Sequence, residues 1–479
     1  MKNPVPAKLR FPCVILVLSI YLAICGLAAS KTEAAQNFNV KIGVSDGVAN
    51  GKVSGDGIVF TDAKGLKGSV RNGAAISASG GGISVGGRTL ALPVTATAKS
   101  GLGWNGVKYR GRLIFIRGAK GFTVVNELDL ENYVRGILKM EMGADWPFEA
   151  LKAQAILART FAVRNRGRFS KRGYDFDVGE NSQVYRGVNS EDPRTDKAVS
   201  STTGLILTWN GEPAEVFYHS DSGGATADVS HVWGSGRPYL LARPEAVNYT
   251  SPNSTWQLTL SNAQLTSIFS KMGHNVGSVT ALEVAQIDDM GRAVTLKATG
   301  DRGAASMKAH DFRMAAGSRV VKSTFFTVTR AGSGQSTAPP QPGATPQVPT
   351  PQPAQTPPKP ASGPRVDPLI EMIDAGVFTT KEIMEMLMDP SKKEEYLQMG
   401  YERMKNKQGS TKAETPKAAT PPPVVVPLVQ TGNGNFIFNG KGWGHGVGLS
   451  QWGAKAMADQ GMKCEEILAH YFPGTNIGK

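Results

Sequence analysis

The stretch DLENYVRGILKME, residues 129–141, has the spacing of an amphipathic helix with one acidic residue on its apolar face. Asp129 belongs to the residue types that cap helix N-termini, so we predict a helix from Leu130 to Glu141. Positions i, i+4, i+7 and i+11 share one face of a helix, and here they are Leu130, Val134, Ile137 and Glu141. Three of these residues are apolar and are expected to point into the core. The fourth is a glutamate.

A carboxyl group on an apolar helix face is poorly hydrated. Desolvation penalises the charged form and raises the pKa, which a general acid working near neutral pH requires. The last residue of a helix can also simply reach water, in which case Glu141 would have no such role. The periodicity by itself leaves both interpretations open.

The next stretch, EALKAQAILARTFA at residues 149–162, predicts a second helix over about residues 148–166. Small and apolar residues form its packing face, namely Leu151, Ala155, Ala158 and Ala162. Lys152 and Arg159 lie on another side of this helix, and Gln154 is off the packing face. Such cations commonly form a solvated surface, but they can also hold hydroxyl, carboxylate or acetamido groups of a ligand.

The segments on both sides of these helices are typical of β-strands. Short apolar or alternating runs cut by glycines fill residues 38–125, and further strand-like runs follow the helices up to residue 330. With helices over residues 129–166, the pattern predicts an α+β fold. It has a β-rich N-terminal part, a helical segment that carries Glu141, and a β-rich remainder.

Proline-rich tracts interrupt the chain at residues 331–366 and 408–433. Such tracts favour extended conformations and cannot bury a core, so we predict two linkers. Between them, residues 367–407 carry helix-capping patterns that predict a small helical hairpin. Residues 434–479 are too few to fold alone, and we expect them to pack on the domain before the first linker, which makes the proline-rich block an insertion.

The N-terminus predicts export from the cytoplasm. Lys2, Lys8 and Arg10 precede an uncharged stretch at residues 11–29, so we interpret residues 1–30 as a signal peptide or a membrane anchor. Either assignment puts the following chain on the extracytoplasmic side. The formal net charge of +14 indicates an anionic partner. Outside the cytoplasm, an acidic wall polymer or a membrane surface fits this charge better than nucleic acid does.

A glycine-rich segment near the C-terminus reads GWGHGVGLSQWG, residues 442–453. Glycines let a backbone approach a ligand closely, and tryptophans offer flat apolar faces. This composition favours a surface that contacts a flat, hydroxylated ligand, with Trp443 or Trp452 stacking on it. The alternative is a structural turn whose tryptophans belong to the core.

Several stretches together resemble the motifs of one family and follow that family's order along the chain. They are ENYVRGILKMEM (131–142), WPFEALKAQAILART (146–160), QVYRG (183–187), FYHSDSGG (217–224), GWGHGVGLSQWGA (442–454) and HYFPGTNI (470–477). On these motifs the chain is identified as a member of the SpoIID/LytB family of sporulation protein D and amidase enhancers. The resemblance implies one SpoIID-like domain formed by residues 38–330 and 434–479.

What the resemblance implies about activity is cleavage of the cell wall. Characterised members are lytic transglycosylases that cut the MurNAc–GlcNAc linkage of peptidoglycan, with the glutamate of an E-M-P-like motif as acid and base. The matching residue is Glu141, although Met142 and Gly143 follow it here instead of Met-Pro. No cofactor is expected, because the Cys and His ligands of the zinc site in some relatives have no counterpart in residues 173–188.

The groove that the resemblance implies would contact peptidoglycan glycan strands through polar side chains of several motifs. The expected contacts are Lys152, Gln154, Arg159, Tyr185, Ser220, Ser222, His445 and Gln451. Tyr185 can equally be a packed core residue, and His445 can instead bond to the backbone.

Two alternatives to a lytic transglycosylase stay open at this point. One is a non-catalytic, peptidoglycan-binding enhancer of an N-acetylmuramoyl-L-alanine amidase, which would then be a partner of this chain. The other is an ordinary muramidase, which would leave reducing ends. The intact Glu141 favours an enzyme, and the hairpin at residues 367–407 is a candidate segment for reaching an amidase.

Overall fold

The computed structural model describes residues 38–179, 182–331, 398–399 and 434–479. The predicted leader, the proline-rich linkers apart from residue 331 and, except for residues 398–399, the predicted hairpin lie outside the described residues. Within the part of the chain that the structure describes, no helix combines the length and the apolar character needed to cross a membrane.

The contacts of the chain divide it into two units. The first comprises residues 1–334 and 425–479, and the second comprises residues 335–424. All elements described below belong to the first unit, where helices and several β-sheets occur together. The predicted α+β fold class is confirmed.

The N-terminal part consists of strands joined by tight turns. These strands are β1 (Asn39–Val48), β2 (Asn50–Ser54), β3 (Ile58–Thr61), β4 (Lys67–Val70), β5 (Gly73–Ser79), β6 (Gly82–Val85), β7 (Arg88–Ala91), β8 (Val94–Thr97), β9 (Leu102–Trp104), β10 (Val107–Tyr109), β11 (Arg112–Arg117) and β12 (Phe122–Asp129). Together with β13 (Phe176–Asp177), they form two sheets, in the orders β13-β1-β12-β11-β8-β3-β4 and β10-β9-β2-β5-β6-β7.

Alternating side chains bury one face of each sheet, as period-2 patterning requires. In β11, for example, Leu113 and Phe115 are fully buried while their neighbours are not. The Trp104 ring from the second sheet lies edge-on between Phe115 and Phe122 of the first, with centroids 5.7 and 6.0 Å away. The two sheets therefore share one core.

Two helices follow β12 and carry the motif with Glu141. Helix α1 (Leu130–Glu141) has the predicted bounds, and the Asp129 side chain caps it by accepting a hydrogen bond from the Asn132 N–H at 3.0 Å. Helix α2 (Phe148–Arg164) is buried along most of its length, with the pattern of an interior helix. The alanines of α2 let other elements pack closely around it.

The other helices and strands complete the first unit. The helices are α3 (Pro193–Ser201), α4 (Val229–Trp233), α5 (Asn262–Lys271), α6 (Ala309–Ala316), α7 (Gln451–Asp459) and α8 (Cys464–Tyr471). The strands are β14 (Ile206–Trp209), β15 (Glu212–Pro213), β16 (Tyr218–His219), β17 (Trp256–Leu260), β18 (Val279–Ile287), β19 (Ala293–Gly300), β20 (Gly303–Lys308), β21 (Phe326–Arg330), β22 (Phe436–Gly440), β23 (Leu449–Ser450) and β24 (Asn476–Gly478). A larger core surrounds α1 and α2, and a smaller one lies between β17–β22 and the helices α5 and α6.

The segment after residue 434 supplies strands to three sheets. Strand β22 pairs antiparallel with both β17 and β21 and is the middle strand of its sheet. Strand β23 pairs in parallel with β16, and β24 pairs with β14. The C-terminal segment is therefore an integral part of sheets whose other strands lie before residue 331.

A substitution at Gly440 can test the packing of the middle strand β22. A Cβ atom at Gly440 would lie 2.2 Å from the ring of Trp256, its cross-strand partner. We expect Gly440→Ala to lower the free energy of unfolding by about 1–3 kcal/mol through overpacking. Equilibrium urea denaturation measures this change.

The control for this prediction is Gly68→Ala in β4, where an added Cβ meets no atom within 4 Å. This variant should unfold at the urea concentration of the wild type or above it. Equal losses of stability in the two variants would contradict the packing explanation.

Candidate active site

Glu141 ends α1 with its carboxyl group directed at protein hydrogen-bond donors. Its Oε1 accepts a hydrogen bond from the Val184 N–H at 3.3 Å, and the Tyr218 hydroxyl also donates to this carboxyl. Burial raises the pKa of Glu141 above its usual value, and this effect exceeds the lowering by the two hydrogen bonds. The C-terminal end of a helix also disfavours a negative charge. The carboxyl group is therefore more readily protonated than that of an exposed glutamate.

A chain of hydrogen bonds leads away from this carboxyl into the core. The Gln183 amide Nε2 lies 3.2 Å from the Tyr218 hydroxyl oxygen, and the Tyr133 hydroxyl lies 3.2 Å from the Gln183 Oε1. Gln183 and Tyr133 are buried, so both ends of the amide group are bonded without water. Glu141 is thus the outer end of a hydrogen-bond chain that continues through Tyr218 on β16 and Gln183 to Tyr133 on α1.

The glycine–tryptophan turn (residues 442–453) lies beside this carboxyl-bearing region. Its Trp452 N–H donates to the Ser220 carbonyl at 3.0 Å, two residues after Tyr218. The rings of Trp452 and Trp146 are 5.1 Å apart, and Trp146 follows Glu141 by five residues. Both tryptophans are partly exposed. The structure therefore brings Glu141, Ser220 and this turn to one region.

The two cations expected to bind a ligand have partners within the protein. Arg159 is fully buried, and its guanidinium binds both carboxylate oxygens of Glu131 at 2.8 and 2.7 Å. Lys152 is partly exposed and pairs with Glu149 at 2.9 Å. Because Arg159 has no exposed surface, we do not retain it as a ligand contact. Lys152 keeps part of its side chain in water.

Gln154 and Tyr185 are also interior residues. Gln154 is fully buried, and its amide has no hydrogen-bond partner among the described residues. Tyr185 packs against Tyr133 with ring centroids 5.4 Å apart, and its hydroxyl donates to the Asn126 Oδ1 at 2.6 Å. Tyr185 therefore has the core role that the sequence left open, and it is not retained as a ligand contact.

His445 and Gln451 lie in the glycine–tryptophan turn but face the protein. The Val447 N–H donates to the Nδ1 of His445 at 3.1 Å, and the ring also donates to the Tyr218 carbonyl. Burial lowers the pKa of His445 to about 3, so the ring is neutral. With backbone partners at both ring nitrogens, His445 has no N–H left for a ligand. Gln451 is buried in the first turn of α7.

Ser222 belongs to a separate polar cluster. Its hydroxyl donates to Glu245, which also accepts a hydrogen bond from Tyr471. A cavity of about 350 Å³ is lined by residues that include Asp221, Glu245 and Tyr249. Ser222 itself is fully buried, so of the two predicted serines only Ser220 is partly exposed.

Sequence reasoning missed the side chains of the hydrogen-bond chain that ends at Glu141. Tyr133 and Glu141 are two helical turns apart on one face of α1, a spacing that could have indicated Tyr133. Tyr218 and Gln183 have no such spacing because they are distant in sequence, but they lie in the motifs FYHSDSGG and QVYRG, which could have indicated them. Among the described residues, no group of three His, Cys, Asp or Glu side chains is placed to hold a metal ion.

Residues 118–209, which contain α1, α2 and the segment around Val184, match a family model described as SpoIID, stage II sporulation protein. This match and the relatives described next support assignment of the chain to the SpoIID/LytB family. The match includes Glu141 and its hydrogen-bond donor Val184, whereas Tyr218 lies beyond it.

Individual relatives resemble longer parts of the chain. An uncharacterized protein of Brachyspira hyodysenteriae is 30% identical over 49% of this chain and 63% of its own length. The amidase enhancer of Bacillus subtilis is 28% identical over 72% of this chain and 40% of its own length. The stage II sporulation protein D of Bacillus subtilis is 36% identical over 27% of this chain and 42% of its own length. The chain thus spans 40 to 63% of the length of these relatives.

The buried Arg159–Glu131 pair generates a prediction about stability. Glu131→Gln would leave the guanidinium of Arg159 inside the protein without its counter-charge, which we expect to lower the free energy of unfolding by about 3–5 kcal/mol. Urea denaturation at neutral pH measures the loss.

The control removes an exposed ion pair of similar length. Lys455 and Asp459 are 2.6 Å apart on the surface of α7, and Asp459→Asn should change stability by no more than about 1 kcal/mol. A Glu131→Gln protein as stable as this control would contradict the assignment of Arg159 as a buried, structurally essential cation.

Proposed function

We propose that this chain is an exported peptidoglycan lytic transglycosylase that cleaves MurNAc–GlcNAc linkages of glycan strands, with Glu141 as its single acid and base. The match to the SpoIID family model, and relatives named amidase enhancer and stage II sporulation protein D, support a role at the peptidoglycan. The observation that carries the enzymatic proposal is the desolvated carboxyl of Glu141, whose raised pKa suits proton donation.

The mechanism requires one carboxyl group because the substrate supplies the nucleophile. Protonated Glu141 gives its proton to the glycosidic oxygen, and the bond from C1 of MurNAc breaks with its electron pair on the departing GlcNAc. The C6 hydroxyl of the same MurNAc then forms a bond to C1 and returns its proton to the Glu141 carboxylate. Ordinary glycosidases use two carboxylates, because water is their final acceptor. Here the glutamate is regenerated and a 1,6-anhydro end is produced.

Polar and aromatic side chains that keep exposed surface fit a saccharide ligand. Trp146 and Trp452 are partly exposed and can stack on a sugar ring, since their apolar faces match its C–H groups. Ser220 and Lys152 retain partly exposed side chains for hydroxyl or carboxylate groups. We therefore assign glycan contacts to these four residues. An extracytoplasmic location follows from this substrate and from the predicted export signal.

The second candidate is a non-catalytic enhancer of a cell-wall amidase. It is favoured by one observation, the match of 72% of this chain to a relative named amidase enhancer. An enhancer would also bind glycan strands, so binding does not separate the candidates. Formation of anhydro ends does.

We expect Glu141→Gln to lower the cleavage rate by about 10²–10⁴-fold, because the amide cannot donate the proton. The substrate is glycan strands stripped of stem peptides, and mass spectrometry of the products measures the anhydro ends. Strand pull-down should give the same binding for the variant as for the wild type, since the amide preserves the shape of the side chain.

The matched control is Glu465→Gln, an exposed carboxylate on α8, which should leave the rate unchanged. If the wild-type chain binds strands but forms no anhydro ends, the enhancer is the correct function. Products with reducing ends would instead identify a hydrolytic muramidase.

A further inference from the structure

We propose that Tyr133, Gln183 and Tyr218 form a directional hydrogen-bond chain that positions the carboxyl of Glu141 and commits the Tyr218 proton to it. The proposal rests on the proposed function, in which Glu141 is the acid and base. It assigns a role to three residues that do not themselves contact the reacting atoms. They are positioning residues.

The direction of the chain follows from the Ala158 carbonyl in α2. This oxygen can only accept a hydrogen bond, and it lies 3.4 Å from one end of the Gln183 amide. That end must therefore be the NH₂ group, which fixes the orientation of the amide. The opposite end is the Oε1 atom, which can only accept, so Tyr133 is the donor there.

The same orientation determines what Tyr218 does with its single proton. The Gln183 NH₂ group also faces the Tyr218 hydroxyl oxygen at 3.2 Å and donates to it. Because this oxygen is already the acceptor towards Gln183, its proton is left for Glu141. Together with the N–H of Val184, two donors then hold the Glu141 carboxyl.

Aromatic packing keeps the inner end of the chain in place. Tyr133 is fully buried and stacks on Phe176 with ring centroids 5.8 Å apart and planes 11° from parallel. Burial raises the pKa of Tyr133 and of Tyr218 well above the usual tyrosine value, so both hydroxyls keep their protons as donors. The hydrogen-bond chain can therefore hold the Glu141 carboxyl without a change in the protonation of its two tyrosines across the working pH range.

The ionisable groups around the chain come from several elements. Glu141 and Tyr133 are on α1, Tyr218 is on β16, and Tyr185 lies in the segment after residue 182. Asp175 and Asp177, beside and within β13, also act on Tyr133 through charge. Among these groups, Tyr218 is the side chain that bonds directly to the Glu141 carboxyl.

The bond from Tyr218 has opposite effects on the two stages of the reaction. A hydrogen bond to the carboxylate stabilises the charged form and so opposes the rise in pKa that burial causes. It lowers the fraction of Glu141 that is protonated at a given pH, but it stabilises the carboxylate that must wait for the proton of the C6 hydroxyl. Holding the carboxyl between two donors also limits its rotation, which keeps one face directed at the substrate.

The decisive variant is Tyr218→Phe, with kcat/KM followed against pH on peptide-stripped strands. Loss of the donor raises the pKa of Glu141, and a general acid is active below its pKa. The fall of activity on the alkaline side should therefore move to higher pH by about one unit. At the optimum, kcat should fall about ten-fold while KM changes little.

Tyr133→Phe tests the inner end of the chain. It keeps the stacking ring but removes the donor to Gln183, so the same alkaline limb should move in the same direction by a smaller amount. Tyr185→Phe is the matched control, because it removes a buried hydroxyl that bonds to Asn126 outside the chain. It should lower thermal stability without moving the limb.

A second readout makes the inference independent of the reaction. Carbon-13 NMR titration of the glutamate carboxyls reports Glu141 directly, with its signal assigned by its loss in Glu141→Gln. A higher titration midpoint in Tyr218→Phe than in the wild type supports the chain even if no anhydro ends form, in which case only the proposed function fails. An unchanged midpoint in Tyr218→Phe, or an equal shift in Tyr185→Phe, overturns the inference.

Discussion

The protonation of the Glu141 carboxyl depends on groups from three separate parts of the chain. Burial and the end of α1 favour neutral Glu141, whereas the Val184 N–H and the Tyr218 hydroxyl favour the carboxylate. The opposing groups come from a helix, an irregular segment and a short strand that are far apart in sequence. Tyr218 reaches the Glu141 carboxyl from β16, and β16 pairs with β23 from the C-terminal segment. The chemistry at residue 141 and the completeness of the fold are thus linked.

The sequence predicted the helix that carries this carboxyl but not the groups that bind it. Period and capping are local properties, so α1 and its Asp129 cap could be derived from residues 129–141 alone. Arg159 could not be placed in the same way. Its partner Glu131 lies on another helix, and periodicity treats an unpaired cation as a surface residue. A buried ion pair depends on two helices packing in one particular register, which no single helix pattern encodes.

The glycine–tryptophan turn likewise shows a contact that the sequence pattern could not assign, namely which atoms lie close to its glycine backbone. Its glycines were expected to admit a ligand, and added Cβ atoms would indeed collide with neighbours. The neighbours are parts of the protein itself, namely the His219 side chain at Gly444 and the Phe217 carbonyl at Gly448, at 2.5 and 2.2 Å. A glycine-rich sequence therefore indicates that some atom lies close to the backbone, but whether that atom belongs to a ligand or to the protein depends on the tertiary structure.

The position of β22 has a consequence for how the chain acquires its structure. A ribosome adds β17 and β21 long before β22, so these two strands have no central partner until residue 440 has been made. Unpaired strand edges are prone to join other chains, and the interval includes the whole of residues 332–433. Nascent protein in this interval exposes the edges of β17 and β21 that β22 later covers. A translation arrest within those hundred or so codons would release a truncated chain without β22, which is prone to aggregate.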